Sequence, residues 1–236
     1  MDTDHLNVVI DGKVAYTNII EISNAADLRA FADAVNNDGN NFAGKVVVLT
    51  DDIDLNNEEW TPIGQTGATE FKGVFDGQGH TIRNLYINNT DTSAYTSTGL
   101  FGWIESHGDE SVTVKNVTID GANVSGHHYV GVIVGYVYGT VENCHVINAT
   151  VSNTSANEDA NGDKTGTIAG YVGEDAKITD CTAKDSTVST GRDGGQIVGA
   201  AKASTVVNCS ATNVVVSVNG TSTGANVRNE VIGREL

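Results

Sequence analysis

Gly131-Val132-Ile133-Val134-Gly135-Tyr136 is a phrase that the chain repeats. It returns as Gly166-Thr167-Ile168-Ala169-Gly170-Tyr171 and as Gly195-Gln196-Ile197-Val198-Gly199-Ala200. A shorter copy, Gly99-Leu100-Phe101-Gly102-Trp103, precedes it, and Val231-Ile232-Gly233-Arg234 closes the chain. The second glycine of each copy is spaced from the next by 33, 35, 29 and 34 residues. A second phrase runs in step: Val114-Lys115-Asn116-Val117, Val141-Glu142-Asn143-Cys144, Ile178-Thr179-Asp180-Cys181 and Val206-Val207-Asn208-Cys209, with Ile82-Arg83-Asn84-Leu85 read as its first member. Constant phrases separated by gaps of variable length describe a stack of similar units.

Within the phrases apolar and polar residues alternate and β-branched residues dominate, while Gly, Asn, Asp, Ser and Thr fill the gaps. This is strand chemistry punctuated by turns. The unit is too long for one hairpin and lacks a helical period, and it is shorter than a propeller blade of about 40 residues. One coil of a parallel β-helix fits it. The fold class expected is all-β, a single-stranded parallel β-helix with an N-terminal α-helical cap. Residues 1–62 form the cap with its helix at 24–36 and the first strands at 46–50 and 52–56. Residues 63–236 form the helix of repeats, continuous with the cap.

The helix is read from Leu28, Phe31, Ala32 and Val35, which share one stripe. Asn24 is its N-cap and Asp27 sits in the first turn, where the helix dipole favours negative charge. A stack needs its open end covered, and this helix is the expected lid. The repeated Asn84, Asn116, Asn143, Asp180 and Asn208 are expected to form one hydrogen-bonded ladder. Cys144, Cys181 and Cys209 share a register and are expected to stack inside as small apolar residues.

The formal net charge of -17 argues against nucleic acid or an anionic membrane as partner. No run is long enough for a transmembrane helix. The opening Met1-Asp2-Thr3-Asp4-His5 is not a signal peptide. The expected location is extracellular or at the cell surface, after removal of a leader, with flanking domains in the full-length protein.

Gly99-Leu100-Phe101-Gly102 and its copies resemble the GLUG repeat of bacterial secreted and surface proteins. Ile22-Ser23-Asn24-Ala25-Ala26-Asp27-Leu28, Trp60-Thr61-Pro62-Ile63-Gly64 and Gly73-Val74-Phe75-Asp76-Gly77-Gln78-Gly79-His80 resemble what commonly precedes such repeats. The likeness runs from residue 20 or so to the end of the chain. It implies a right-handed β-helix of the pectate-lyase-like kind, and proteins of gut Bacteroidetes that occur as adhesins or beside IgA-degrading metallopeptidase domains. It implies little about activity, and no HExxH zinc motif is present: His127 and His128 are adjacent.

Enzymatic readings are weak. Polysaccharide hydrolysis needs paired carboxylates. Asp51-Asp52, Gly79-His80 and Asn89-Thr90-Asp91 carry fragments of such motifs in scrambled order. Arg192, beside Asp193, is the one arginine on a loop between strands that has an acid next to it. No catalytic residue is assigned. No cofactor is expected, with Ca²⁺ the one metal considered. Asp52, Asp54 and Asn56 alternate on one strand face. Residues 157–163, through Asp159, Asn161 and Asp163, are the better oxygen-ligand set.

Recognition is the remaining reading. Trp103, Tyr136 and Tyr171 follow the second glycine of three successive phrases and so form a column, continued by Ala200 and Arg234. An arginine at the last place argues that the column faces outward. Such rings suit glycans, dietary or of a host, or a host surface protein. The alternatives are a structural spacer or fibre segment, in which the rings only cover an apolar strand face, and a polysaccharide-degrading enzyme.

Overall fold

The computed structural model describes residues 19–92, 96–106, 111–155, 163–218, 226–227 and 230–236. Among the described residues the chain is all-β apart from one α-helix and one short 3-10 turn, and its strands lie in four parallel sheets. Sheets I, III and IV take one strand from each successive unit, and sheet II takes two or one long one. Sheet I runs from Ile19–Ile22 through Val46–Leu49, Val74–Asp76, Thr113–Lys115, Thr140–Glu142 and Lys177–Thr179 to Val206–Val207. Sheet II is bent: its Thr81–Arg83, Thr118–Asp120 and His145–Ile147 arm and its Tyr86–Asn88, Asn123–Gly126 and Thr150–Asn153 arm merge in the long strands Thr182–Thr190 and Ser210–Val218. Sheet III consists of Ser97–Thr98, Tyr129–Val130, Lys164–Thr165, Asp193–Gly194 and Asn226–Val227. Sheet IV consists of Phe101–Glu105, Val134–Tyr138, Ala169–Val172, Val198–Ala201 and Ile232–Glu235.

Register puts like on like. Val47, Phe75, Val114, Val141 and Ile178 stack along sheet I, and Ile87, Val124, Val151 and Val188 along sheet II, all inside one apolar cluster. A β-branched side chain fits the pleated surface and meets the same side chain one strand away, which is why each unit buries its face only against its neighbours.

The helix spans Ala25–Asn36, and the Asn24 side chain accepts from the Asp27 N–H as its N-cap. Its Phe31 is fully buried at the end of the stack, with ring centroids 4.9 Å from Phe42, 5.6 Å from Phe71, 6.2 Å from Phe75 and 6.5 Å from Phe101. Asn36 ties the helix end to the body, donating to Pro62 O and accepting from Gly64 N. The expected strands appear as Val46–Leu49 and Ile53–Asp54.

The asparagine reading needs one correction. Asn116 donates to Asp76, Asn143 to Asn116 and Asn208 to Asp180, so each amide donates to the unit before it. The Asp180 side chain carries no N–H and serves as acceptor. Asn84 does not share this ladder. Arg83 pairs with Asp120, which places Asn84 beside Gly121 at the next corner. There it heads a second column, Asn84, Gly121, Asn148, Asp185 and Asn213, all at positive φ. Asn84 donates to Asp54, Asn148 to Asp120 and Asn213 to Asp185. Both corners need a left-handed backbone, which asparagine and aspartate tolerate better than other residues with a β-carbon. One local signature, Asn after an apolar strand, therefore marks two different corners.

The cysteines stack as expected. Cys144 and Cys181 are buried, Cys209 is partly exposed, and all are free thiols. Each donates to the carbonyl two residues before it. The neighbouring Cys144 thiol and burial push the Cys181 thiol well above its ordinary value.

Candidate functional site

The aromatic column lies where sheet III meets sheet IV. Register confirms its membership: Trp103 pairs with Tyr136, Tyr136 with Tyr171, Tyr171 with Ala200 and Ala200 with Arg234. The repeated glycine sets its direction. A β-carbon on Gly135 would stand 2.6 Å from Thr98 N and 2.8 Å from Tyr129 O, and one on Gly170 would stand 2.6 Å from Val130 N. Only a residue without a side chain lets sheet IV descend onto the backbone of sheet III. Alternation breaks at that point. Phe101 and Ile104 are buried while Trp103 between them is half-buried, as are Tyr136 and Tyr171.

The rings stack on one another. Trp103 and Tyr136 have centroids 3.7 Å apart and planes 19° apart, and Tyr136 and Tyr171 are 5.1 Å and 24° apart. Gly67 lies against the far side of Trp103, where a β-carbon would stand 3.7 Å from the indole. Each inner face is covered by the next ring, so the column offers edges and hydroxyls outward rather than three open faces. Trp103 Nε1 donates to Glu105 Oε2 at 2.7 Å. Desolvation pushes the Tyr136 and Tyr171 phenols upward, with Tyr138 adding to both shifts.

Two further tyrosines belong to the cluster. Tyr129 is buried, 5.1 Å from Tyr136 and 5.7 Å from Tyr171, and Tyr138 lies 5.3 Å from Tyr136. Their places recur in other units, Ser97 and Lys164 aligning with Tyr129 and Glu105 with Tyr138, but the residue type does not, so repetition could not single them out. Lys164 was also invisible. It is 4% exposed, with Nζ 5.4 Å from the Tyr129 ring and 5.7 Å from the Tyr171 ring. Burial holds its ammonium below the ordinary lysine value against the upward pull of Asp193. Asp193 is itself fully buried, 3.9 Å from Arg192 Nε and 3.3 Å from Arg234 NH1. The aromatic edge therefore borders a buried charged row built from three units.

The enzyme fragments have structural work. Asp52 accepts from Thr81 N at 2.9 Å and Arg83 at 3.0 Å, and its carboxylate lies 3.4 Å from His80 Nδ1. These bonds, that from Thr81 first, hold its carboxyl below the ordinary range. Asp54 accepts from Asn84 and from Asn56 N. These acids are committed to protein donors at an exposed corner.

Of the acidic loop, Asp159 and Asn161 lie outside the described residues. Asp163 is fully buried at φ +49°, and His127 and His128 lie beside it. Burial raises its pKa, against the pull of Ser155, His128, His127 and Lys164. Sequence reading treated the two histidines as mere neighbours. The corner before Tyr129–Val130 instead turns both rings together, centroids 4.8 Å apart.

Among the described residues no helix is long and apolar enough to cross a membrane. The model of the GLUG motif matches residues 126–156, which include the corner histidines and the Gly131–Tyr136 phrase. The chain is 30% identical over 179 residues to halomucin of Haloquadratum walsbyi, covering 73% of this chain and 2% of halomucin. It is 35% identical over 101 residues to a proposed Gly-rich membrane protein of Evansella cellulosilytica, covering 42% of this chain and 11% of that protein. The chain thus spans a small part of both curated relatives. A solved structure of a proposed immunoglobulin A1 protease from Bacteroides ovatus aligns with TM-score 0.51 and 19% identity, over 89% of this chain and 80% of that one. At this identity the likeness is one of fold. The GLUG resemblance holds, and its motif sits in the middle of the stack.

Proposed function

We propose that this chain is a non-catalytic right-handed parallel β-helix module of a secreted or cell-surface protein, and that it recognises glycans through the sheet III–sheet IV edge. The observation that carries this reading is the continuous row of half-buried Trp103, Tyr136 and Tyr171, backed by Tyr129 and Lys164. Tyrosine edges present hydroxyl groups beside apolar carbon, the mixed surface that sugars share, while the indole N–H of Trp103 holds Glu105 at the same edge. Parallel pairing between every pair of successive units supports the β-helix reading, and so does the likeness to the Bacteroides ovatus structure. Similarity to small parts of two longer proteins, one of them named a membrane protein, supports a module displayed outside the cell.

A second reading has its own observation. The ring faces are spent on each other, as they would be in a spacer whose aromatic stack only stiffens the edge. A glycan-array screen separates the two. Wild type is compared with a Trp103→Ala/Tyr136→Ala/Tyr171→Ala variant, each checked for β-sheet circular dichroism. Binding by wild type that the folded variant loses supports recognition on the column. Binding retained by the folded variant, or no binding by either protein, turns the reading to the spacer.

A further inference from the structure

Next to the aromatic edge lies a group of side chains that the proposed recognition does not use. His127, His128 and Asp163 each offer one ligand atom, and these atoms lie within 4.8 Å of one another. The imidazoles come from the corner between Asn123–Gly126 and Tyr129–Val130. The carboxylate comes from the residue before Lys164–Thr165 in the following unit. Pairing of Tyr129 with Lys164, and the bond from Lys164 N to His128 O, set the three side by side.

What marks the group is missing hydrogen bonding. Asp163 is fully buried; Ser155 pulls on its carboxylate, but neither oxygen makes a hydrogen bond of good geometry, nor does the buried Nδ1 of His127. Buried polar atoms are nearly always paired, and an exception asks for a cause such as an ion. Asp163 is also held at positive φ, with its own carbonyl accepting from Asp193 N. Gly191 of the next unit lies against the same corner, where a β-carbon would stand 2.5 Å from Ser155 O and 3.6 Å from Asp163 Oδ2.

We propose that His127, His128 and Asp163 form a binding site for a zinc-type divalent cation with one coordination position open. Two imidazole nitrogens and one carboxylate oxygen match the borderline ligand preference of zinc. Calcium prefers six to eight oxygens, and the imidazoles supply none. With zinc–ligand bonds of about 2.1 Å, ligand atoms around a tetrahedral ion stand roughly 3.4 Å apart. Small ring and carboxylate rotations close the present separations. A cation here uses the orphaned atoms together and ties one unit to the next.

The test is calorimetric titration of the chelator-stripped full chain with Zn²⁺, paired with the visible spectrum of the Co²⁺ form and with thermal melts. The expected result is one equivalent bound, a Co²⁺ spectrum without thiolate charge-transfer bands, and a melting temperature raised by metal. Asp163→Asn and His127→Gln each weaken binding at least tenfold. Metal-free Asp163→Asn melts no lower than wild type, because a neutral isostere replaces a carboxyl whose burial opposes its charged form. If that variant is unstable, His127→Gln, at a partly exposed position, decides the matter on its own. No uptake, uptake that both variants keep, or thiolate bands pointing to the cysteine stack would overturn the site. Ca²⁺ binding in place of Zn²⁺ would overturn the proposed ion.

Discussion

Two aspartates at two corners of the same stack have opposite fates. Asp52, at the entrance to sheet II, is half-exposed, accepts a backbone N–H and a guanidinium, and is held in its ionised form. Asp163, at the entrance to sheet III, is fully buried, makes no hydrogen bond of good geometry through either oxygen, and is pushed by burial toward its protonated form. The corners leading into and out of the first arm of sheet II carry ladders in which amides donate to acids and amides of the preceding unit. The corner into sheet III carries instead His127, His128, Asp163, Lys164 and Asp193, none of which repeats. Repeated polar residues maintain the stack. Buried polar residues that break the repeat are where this protein spends stability on something else.

The sharpest way to break that comparison is at the seam itself. Gly170→Ala puts a methyl group within 2.6 Å of Val130 N, and overpacking of this kind costs about 3 kcal/mol. A urea melt should show it, and an unchanged midpoint would mean the seam is loose. Tyr136→Ala removes the central ring of the column. Because Tyr136 is half-buried, the expected loss is about 2 kcal/mol, below the 3–5 kcal/mol range of a fully buried aromatic. The same melt measures it.

At the ladder, Asn143→Ala should cost about 1–2 kcal/mol, chiefly from its left-handed backbone. Asn143→Gly should restore most of that, since glycine carries no such penalty. Equal losses in the two variants would assign the cost to the amide rung. Asp52→Asn should give the smallest effect. A carboxyl held low in the folded chain contributes stability above its ordinary value of 3.8, and loses that contribution as pH falls below 3.8 through the lowered folded value. Wild type should therefore be slightly more stable than Asp52→Asn at pH 7, and the gap should close in acid. A gap that persists at low pH would point to packing instead of charge. Metal-free Asp163→Asn should show the opposite sign at neutral pH.

Much of this could be read from the residues. Leu28, Phe31, Ala32 and Val35 announced the buried helix stripe, and the repeated glycine predicted the alignment of Trp103, Tyr136, Tyr171, Ala200 and Arg234. Both are periodic, and periodicity survives any detail of packing. Asn84 was misplaced because its neighbours Arg83 and Leu85 look like those of Asn116, although the chain turns two corners per unit with the same residue type. The stacking of the rings on each other was not legible either. Register shows that side chains are adjacent, but ring tilt depends on how closely two sheets approach.

The sequence by itself determined the repeat, its strands, the stacks of like residues and the capped first end, because those follow from spacing and from side-chain branching. The tertiary structure alone decided that His127 and His128 turn together, that Asp163 of the next unit is buried against them, and that Lys164 lies over Tyr129 and Tyr171. Those contacts arise where two sheets meet at a corner, between residues 35 or 36 positions apart, seven apart, or side by side at a turn, and no periodicity reports them.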